Sequence, residues 1–298
     1  MQRESAPAPF AHILAPVDGS TLSEIAVRRS EALLTFPGCR LTLLNLGRGE
    51  GRLGRVENLA AEARGWGAET DVLVRKGQPA AEVLREIETG KYDLVLMMSR
   101  RRSLAGGFPG DVATAVLRNS PVPLLFFRPL AGLGESFFAV ERSEPAKFRR
   151  LILMLDGSVQ AEAVMDSACR LSRAFHSELI LFHSISRGDA TEDRMESARA
   201  YLAERAEEAN RLGISARIQI AVGEPAAQAL RLLDGGVDGI ALTTRGRSYW
   251  GSTLLGSVAR QVLSVAEGPI LCLSSHGVRQ GGARRVGARS RPAPLLGV

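Results

Sequence analysis

Short apolar runs alternate with longer amphipathic segments along the whole chain. In the first half the runs are Ile13–Val17, Leu41–Leu46, Val72–Val74, Leu94–Met98 and Val122–Phe127. In the second they are Leu151–Leu155, Leu179–His183, Ala216–Ala221, Gly239–Leu242 and Ile270–Leu273. Runs this short, bounded by Gly, Pro or Asp, predict strands covered on both faces. Between the first two runs, Leu22, Ile25, Ala26, Arg29 and Leu33 recur at helical spacing, with Ser20 or Thr21 available as the cap. In the second half Ala161, Val164, Met165, Ala168 and Leu171 form one helix face, and Met195, Ala198, Leu202, Ala206 and Ala209 another. Five β/α units per half predict an α/β protein of two tandem doubly wound five-stranded parallel-sheet domains, with helices on both faces. The stretch after the second run of the first half is glycine-rich and reads as a short, eroded helix.

The chain repeats itself. Gly77-Gln78-Pro79-Ala80-Ala81-Glu82-Val83-Leu84-Arg85 returns 146 residues later as Gly223-Glu224-Pro225-Ala226-Ala227-Gln228-Ala229-Leu230-Arg231, with six identities in nine positions. Asp18-Gly19-Ser20 after the first run matches Asp156-Gly157-Ser158 after the sixth. Self-similarity at this spacing means two copies of one domain. The copies are placed at 10–130 and 149–275, with a linker at 131–148 and a tail at 276–298. The linker carries an apolar Phe137-Phe138-Ala139-Val140 patch and is expected to dock. Two related surfaces tethered by a short linker are expected to pair through their closing strands as an intrachain pseudo-dimer. A further homodimer is left open.

Composition narrows the classes. A length of 298 residues with 45% hydrophobic and 23% charged residues fits two ordinary domains. No apolar run is long enough to span a bilayer, and Met1-Gln2-Arg3-Glu4-Ser5 leads into Pro-rich sequence without an apolar signal core, so no membrane role and a cytoplasmic location are expected. Cys39, Cys169 and Cys272 have no pairing or zinc spacing. Of the net charge of +6, five charges are Arg279, Arg284, Arg285, Arg289 and Arg291 in the tail, which leaves +1 elsewhere. No specific nucleic-acid partner is expected from so balanced a remainder. The tail composition is that of a disordered segment.

The candidate chemistry lies after the ninth run. Thr243-Thr244-Arg245-Gly246 is followed by nine residues and then Gly256-Ser257-Val258-Ala259 opening an amphipathic helix. A glycine directly before a helix lets backbone N–H groups approach an anion, and the helix start adds partial positive charge, so this is a candidate phosphate seat. Ser257 could donate its hydroxyl; Arg245 and Arg247 could supply charge. In the first half the matching run is Met98-Ser99-Arg100-Arg101, eight residues, then Gly110-Asp111. Both early glycines are missing, the loop is one residue short, and a carboxylate stands where the hydroxyl would be. Like charges about 4 Å apart cost roughly 1 to 4 kcal/mol at effective dielectrics of 80 to 20. The first copy is therefore read as a degenerate site that holds no ATP and keeps no intact pocket.

With these residues the sequence resembles the universal stress protein family. The order of elements, the Asp-Gly-Ser after the first strand, the Gly-x-Pro before the third helix and the closing strand after a Pro all match that pattern. The resemblance covers both copies and implies an adenine-nucleotide alpha-hydrolase-like fold that binds ATP or a related adenine nucleotide mainly in the second copy, with Mg2+ held through the phosphates. It implies that Asp156 sits near adenine or ribose, that the backbone of Ser184 meets the base, and that Gly246, Gly256, Ser257 and Val258 form the phosphate loop. One departure is plain: Thr243 replaces the family's first glycine.

Competing signals are weaker. Gly49-Glu50-Gly51-Arg52-Leu53-Gly54 matches the dinucleotide fingerprint but follows the second strand and lacks the later acid, so it reads as a flexible loop. His183 reads as a core histidine. No Walker motif, nucleophile elbow or paired-His spacing is present. An adenylating or pyrophosphatase enzyme would need a glycine-rich loop after the first strand, and Asp156-Gly157-Ser158 is too short and acidic for one. No evident general base stands out, so an enzyme is not expected. Two functions remain: a stress-response regulator that binds adenine nucleotide and signals to an unidentified protein partner, or a nucleotide-free tandem scaffold for protein interactions.

Overall fold

The computed structural model describes residues 7–47, 49–99, 111–128, 144–246 and 255–274. In the first half β1 (His12–Val17), β2 (Arg40–Asn45), β3 (Glu69–Val74), β4 (Leu94–Met98) and β5 (Leu124–Phe127) alternate with α1 (Thr21–Arg29), α2 (Glu31–Leu34), α3 (Glu50–Gly65), α4 (Pro79–Thr89) and α5 (Asp111–Asn119). The second half repeats this with β6 (Arg150–Met154), β7 (Glu178–Ile185), β8 (Ala216–Val222), β9 (Gly239–Thr243) and β10 (Ile270–Leu273). Its helices are α6 (Val159–Glu162), α7 (Met165–Phe175), α8 (Glu192–Arg211), α9 (Pro225–Asp234) and α10 (Ser257–Val265). All ten expected strands form, most of them extended by a residue or more at one end.

The ten strands join into one sheet in the order β3-β2-β1-β4-β5-β10-β9-β6-β7-β8. Every pairing is parallel except the seam, where β10 runs antiparallel to β5 with Ile270, Leu271 and Cys272 opposite Phe126, Leu125 and Leu124. The expected pairing through closing strands is thus an edge-to-edge fusion. Side-chain alternation divides the core into two layers. Ile13, Ala15, Leu151 and Leu153 face α1, α3, α7 and α8, whereas Leu14, Ile152, Phe126 and Ile240 face α4, α5, α9 and α10. Each layer continues across the seam.

Polar ties lock the halves. The buried Arg128 guanidinium, just after β5, donates to the carbonyls of Ser264 and Ala266 at the end of α10, where a cation is favoured by the helix dipole. Ser274 donates to the Ser120 carbonyl across the same seam. Arg170 of α7 lies 4.9 Å from the Phe10 ring centre and 3.8 Å from Asp93, and the Phe36 and Phe175 rings meet edge-on at 5.3 Å. Ala146 and Phe148, at the end of the linker, are buried, and Ala146 N–H donates to the Arg29 carbonyl. Residues 131–143 with the Phe137–Val140 patch, and the tail, lie outside the described residues.

One expectation fails. Gly49–Gly54 is not a loop: α3 begins at Glu50 and runs 16 residues, so the first copy is not eroded there. Gly49 takes φ 100° to start the helix, and Val56, Leu59, Ala60 and Ala63 bury their side chains in the core. This burial outweighs the propensity cost of about 1 kcal/mol per helical glycine. An ion-pair cluster holds the same helix, with buried Glu24 bonded to Arg28 and Arg55 and Arg28 to Glu62. In the second half Tyr201 Oη donates to Glu162 Oε1 at 3.0 Å in the corresponding place.

Arg128→Ala strips a buried cap from α10 and leaves carbonyls unsatisfied, so urea unfolding is expected to show a loss of about 1–3 kcal/mol. Because both core layers cross the seam, wild-type protein should unfold in one transition, whereas Leu125→Asp should split it into two.

Candidate functional site

In each half the strand order reverses between the first and fourth strands, which opens a crevice at their carboxyl ends. In the second half this is the space beyond β6 and β9. After β6, the amide of Leu155 still donates to the Phe182 carbonyl of β7, and the chain then turns through Asp156-Gly157-Ser158. Gly157 takes φ 80°, a left-handed conformation that side chains disfavour. Asp156 Oδ1 accepts from the Ser158 amide at 3.0 Å and its hydroxyl at 2.6 Å, while Ser158 Oγ caps α6 by accepting from Ala161 N–H. The turn residues thereby hold the carboxylate in place.

Asp156 also meets the ninth strand's loop. A Cβ on Gly246 would stand 1.9 Å from Asp156 Oδ2, so only a glycine permits this approach. Two residues 90 positions apart in the chain become direct neighbours. Thr243 is 8% exposed, and its Oγ1 donates to the Arg245 carbonyl at 2.8 Å. The side chain that departs from the family pattern is turned onto its own loop. Thr244 N–H continues the ladder to Leu273, and its carbonyl accepts from Gly256 N–H at 2.8 Å. A Cβ on Gly256 would come within 3.3 Å of that carbonyl, a tight contact. The loop is therefore closed at its base, and Gly246 and Gly256 are brought to one end of the crevice.

Helix α10 begins there. Gly256 is its N-cap, in extended geometry, with no side chain capping the first amides and no acid in the first turn. The first intrahelical bond runs from Arg260 N–H to the Gly256 carbonyl, so the amides of Ser257 and Val258 have no partner within the helix. Ser257 is exposed beside them. Arg245 is half-buried in the loop, and Arg247 lies outside the described residues. On β7, Ser184 Oγ donates to the Gly223 carbonyl at 2.7 Å, and His183 is a core residue whose Nδ1 meets the Leu155 carbonyl at 2.8 Å. Among the described residues no group of three or more His, Cys, Asp or Glu side chains is placed to hold a metal, and no helix is long and apolar enough to cross a membrane. The three cysteines are buried, and desolvation pushes the thiols of Cys39 and Cys169 up to about 12, which leaves them unreactive.

The first half, where no intact nucleotide pocket is expected, has a cleft at the corresponding place. A cleft of about 650 Å³ lies at the ends of β1 and β4, lined by Val17, Leu22, Met97, Asp18 and Asp111 among others. Asp18 Oδ1 accepts from Ser20 N–H at 3.0 Å in the same turn as Asp156, and Ser20 caps α1. The helix facing it starts with Asp111 in place of a hydroxyl. The matching Met98–Arg101 run extends beyond the described residues after Ser99.

The sequence reading missed a repeated pair of structural acids. Asp93 accepts from the amides of Ala11 and His12, and Asp238 from those of Arg149 and Arg150, which fixes the entry of β1 beside β4 and of β6 beside β9. Comparison of Tyr92-Asp93-Leu94 with Val237-Asp238-Gly239 would have located them.

The chain belongs to the universal stress protein family, whose profile matches residues 47–128 and 147–274. In the first half β1, α1, α2 and β2, which precede the matched span, complete the same five-stranded unit. No curated protein sequence matches. Among solved structures, a universal stress protein from Archaeoglobus fulgidus DSM 4304 is 20% identical, aligns over 89% of this chain and 98% of its own, and has a TM-score of 0.65. A Pseudomonas aeruginosa UCBPP-PA14 protein given the same family description is 16% identical over 90% and 95%, with a TM-score of 0.67. The cytoplasmic domain of a prokaryotic cation chloride cotransporter is 13% identical over 91% and 99%, with a TM-score of 0.60. At these identities the likeness is one of fold.

Gly246→Ala should drive the new methyl into Asp156 and break its bonds to Ser158. Thermal unfolding is expected to show a loss of about 1–3 kcal/mol, partly restored by adding Asp156→Ala. Equal stability of Gly246→Ala and wild type would refute the contact.

Proposed function

We propose that this protein is a cytoplasmic stress-response regulator whose second half binds ATP or a related adenine nucleotide. The observation that carries the reading is the uncapped, acid-free start of α10, set at the switch-point crevice with Gly246 and Gly256 drawn together beneath it. Aligned amides and the helix dipole favour a phosphate at such a place. Asp156, held by Ser158 and pressed against Gly246, is assigned to the ribose or base end, beside the carboxyl end of the strand that carries Ser184. Ser257 donates its hydroxyl and Arg245 supplies charge. A divalent cation would be held by the phosphates themselves. No catalytic role is proposed; binding acts by favouring one state for an unidentified partner protein.

The alternative, a scaffold that binds no nucleotide, drew its support from Thr243. That support weakens because the threonine hydroxyl is engaged with Arg245 and the side chain is nearly buried.

Millimolar ATP with magnesium is expected to give a measurable heat in isothermal titration and, at about 100 times the dissociation constant, roughly 2.7 kcal/mol of stabilisation. Ser257→Asp should weaken binding at least tenfold, about 1.4 kcal/mol, by placing a carboxylate beside the phosphate. Absence of both heat and thermal shift in the wild type would favour the scaffold.

A further inference from the structure

The ten-stranded sheet ends in β3 on one side and β8 on the other. In an edge strand alternate residues turn their N–H and C=O groups away from the neighbour, where they form a template for another strand. On β8 the Ser215 carbonyl accepts from Leu179 N–H, and Gly223 N–H donates to the Ile185 carbonyl, so the odd-numbered residues face β7. Ala216, Ile218, Ile220 and Val222 therefore present their backbone groups outward. Side chains take one such group at each end of the strand. Asn210 Oδ1, from the last turn of α8, accepts from Ala216 N–H at 3.1 Å. Gln228 Nε2, from the first turn of α9, donates to the Val222 carbonyl at 3.2 Å. In the repeated segment of the first half the matching residue is Glu82, which has no N–H to donate and pairs with Arg85 instead. Among the described residues nothing takes the outward groups of Ile218 and Ile220.

The two guarded groups are partners in one specific contact. When β8 of a second copy lies antiparallel on this strand about a two-fold axis through Gln219, Ile218 exchanges hydrogen bonds with Ile220 of the second copy. The next bond outward runs from Ala216 N–H to the Val222 carbonyl of the second copy. Asn210 and Gln228 occupy the donor and the acceptor of that bond, and the symmetry repeats the block at the other end of the ladder. Charge does not oppose the pairing: Arg217, the charged residue of β8, is bound to Glu178 at 2.7 Å and would lie opposite Ala221. The other edge is protected differently. On β3 the exposed carboxylates of Glu69 and Asp71 share Arg40 at 3.5 and 3.6 Å, and the Thr70 carbonyl is taken by Arg64 at 2.8 Å. We propose that Asn210 and Gln228 guard the β8 edge against a second copy of this chain, and that without them two copies join β8 to β8 in one continuous sheet. With both in place the open stretch shrinks to Ile218–Ile220, too short a ladder to hold a second copy. This inference does not depend on nucleotide binding in the second half.

The test uses the full chain with Asn210→Ala and Gln228→Ala combined, followed by sedimentation velocity over a range of concentrations. The double variant is expected to melt cooperatively and to self-associate at least about tenfold more tightly than the wild type, the effect of regaining the outermost bond at each end of the ladder. Adding Gln219→Lys, which sets like charges opposite each other at the two-fold axis, should return association to the wild-type level. Hydrogen exchange of the wild type gives a reading that needs no variant. The amides of Ile218 and Ile220 should exchange fast, and those of Ala216, Arg217 and Gln219 more slowly. Association of the double variant no tighter than that of the wild type, association that Gln219→Lys leaves unchanged, or Ile218 and Ile220 amides as protected as that of Gln219 would each overturn the inference.

Discussion

The antiparallel pairing of β5 with β10 is the constraint on which the rest of the molecule depends. Each half alone would end in an apolar edge strand with unpaired backbone groups, an aggregation hazard in a lone domain. Here each edge satisfies the other. Leu124, Leu125 and Phe126 face Cys272, Leu271 and Ile270, all essentially excluded from solvent, and both core layers run across the join. A pairing of two like strands in opposite directions is what a two-fold axis produces, so the duplicated chain makes within itself the contact that two separate copies would make between them. Tethering removes the concentration dependence of that contact.

The seam also connects the sites to the fold. Arg128 leaves β5 and closes the carboxyl end of α10, the helix whose amino end is the proposed anion seat. The position of that seat is thus held from one end by the loop after β9 and from the other by the opposite half. Across the seam, α5 begins with Asp111 over a formed cleft. Duplication left the scaffold intact in both halves while the first residue of the fifth unit's helix came to differ in charge, Asp111 against the neutral Ser257. Carboxylate and hydroxyl are both good company for exposed amides, so either can be installed without loss of the fold.

The architecture was legible because its signals are local and repeated. Apolar runs bounded by Gly, Pro and Asp located all ten strands, and the face of α8 was read correctly because burial follows a 3.6-residue period, whereas Ala161, Val164, Met165, Ala168 and Leu171, expected on one helix, are buried on α6, α7 and the turn between them. The Asp-Gly-Ser turns and Gly-x-Pro helix starts recur with the backbone geometry their residues require. Failure came where local preference opposed packing. Gly49, Gly51 and Gly54 suggest a loop, but four buried side chains further along α3 and the Glu24 ion-pair cluster hold the segment helical. The persistence of the first-half cleft was missed for a related reason: the residues that shape it come from three strand ends and four helices, and a substitution at the phosphate position says nothing of the wall behind it.

The chain's own order of residues determined the class of fold, the duplication, the difference in charge between Asp111 and Ser257, and which residues were candidates for a phosphate seat, since each follows from spacing or residue type. Only the tertiary structure decided that Gly246 is needed because Asp156 lies against it, that Thr243 turns onto its own loop, and that ten strands form one sheet. These facts rest on atoms brought together from distant parts of the chain. Their distances depend on the register of strands and the packing of helices, which no single segment contains.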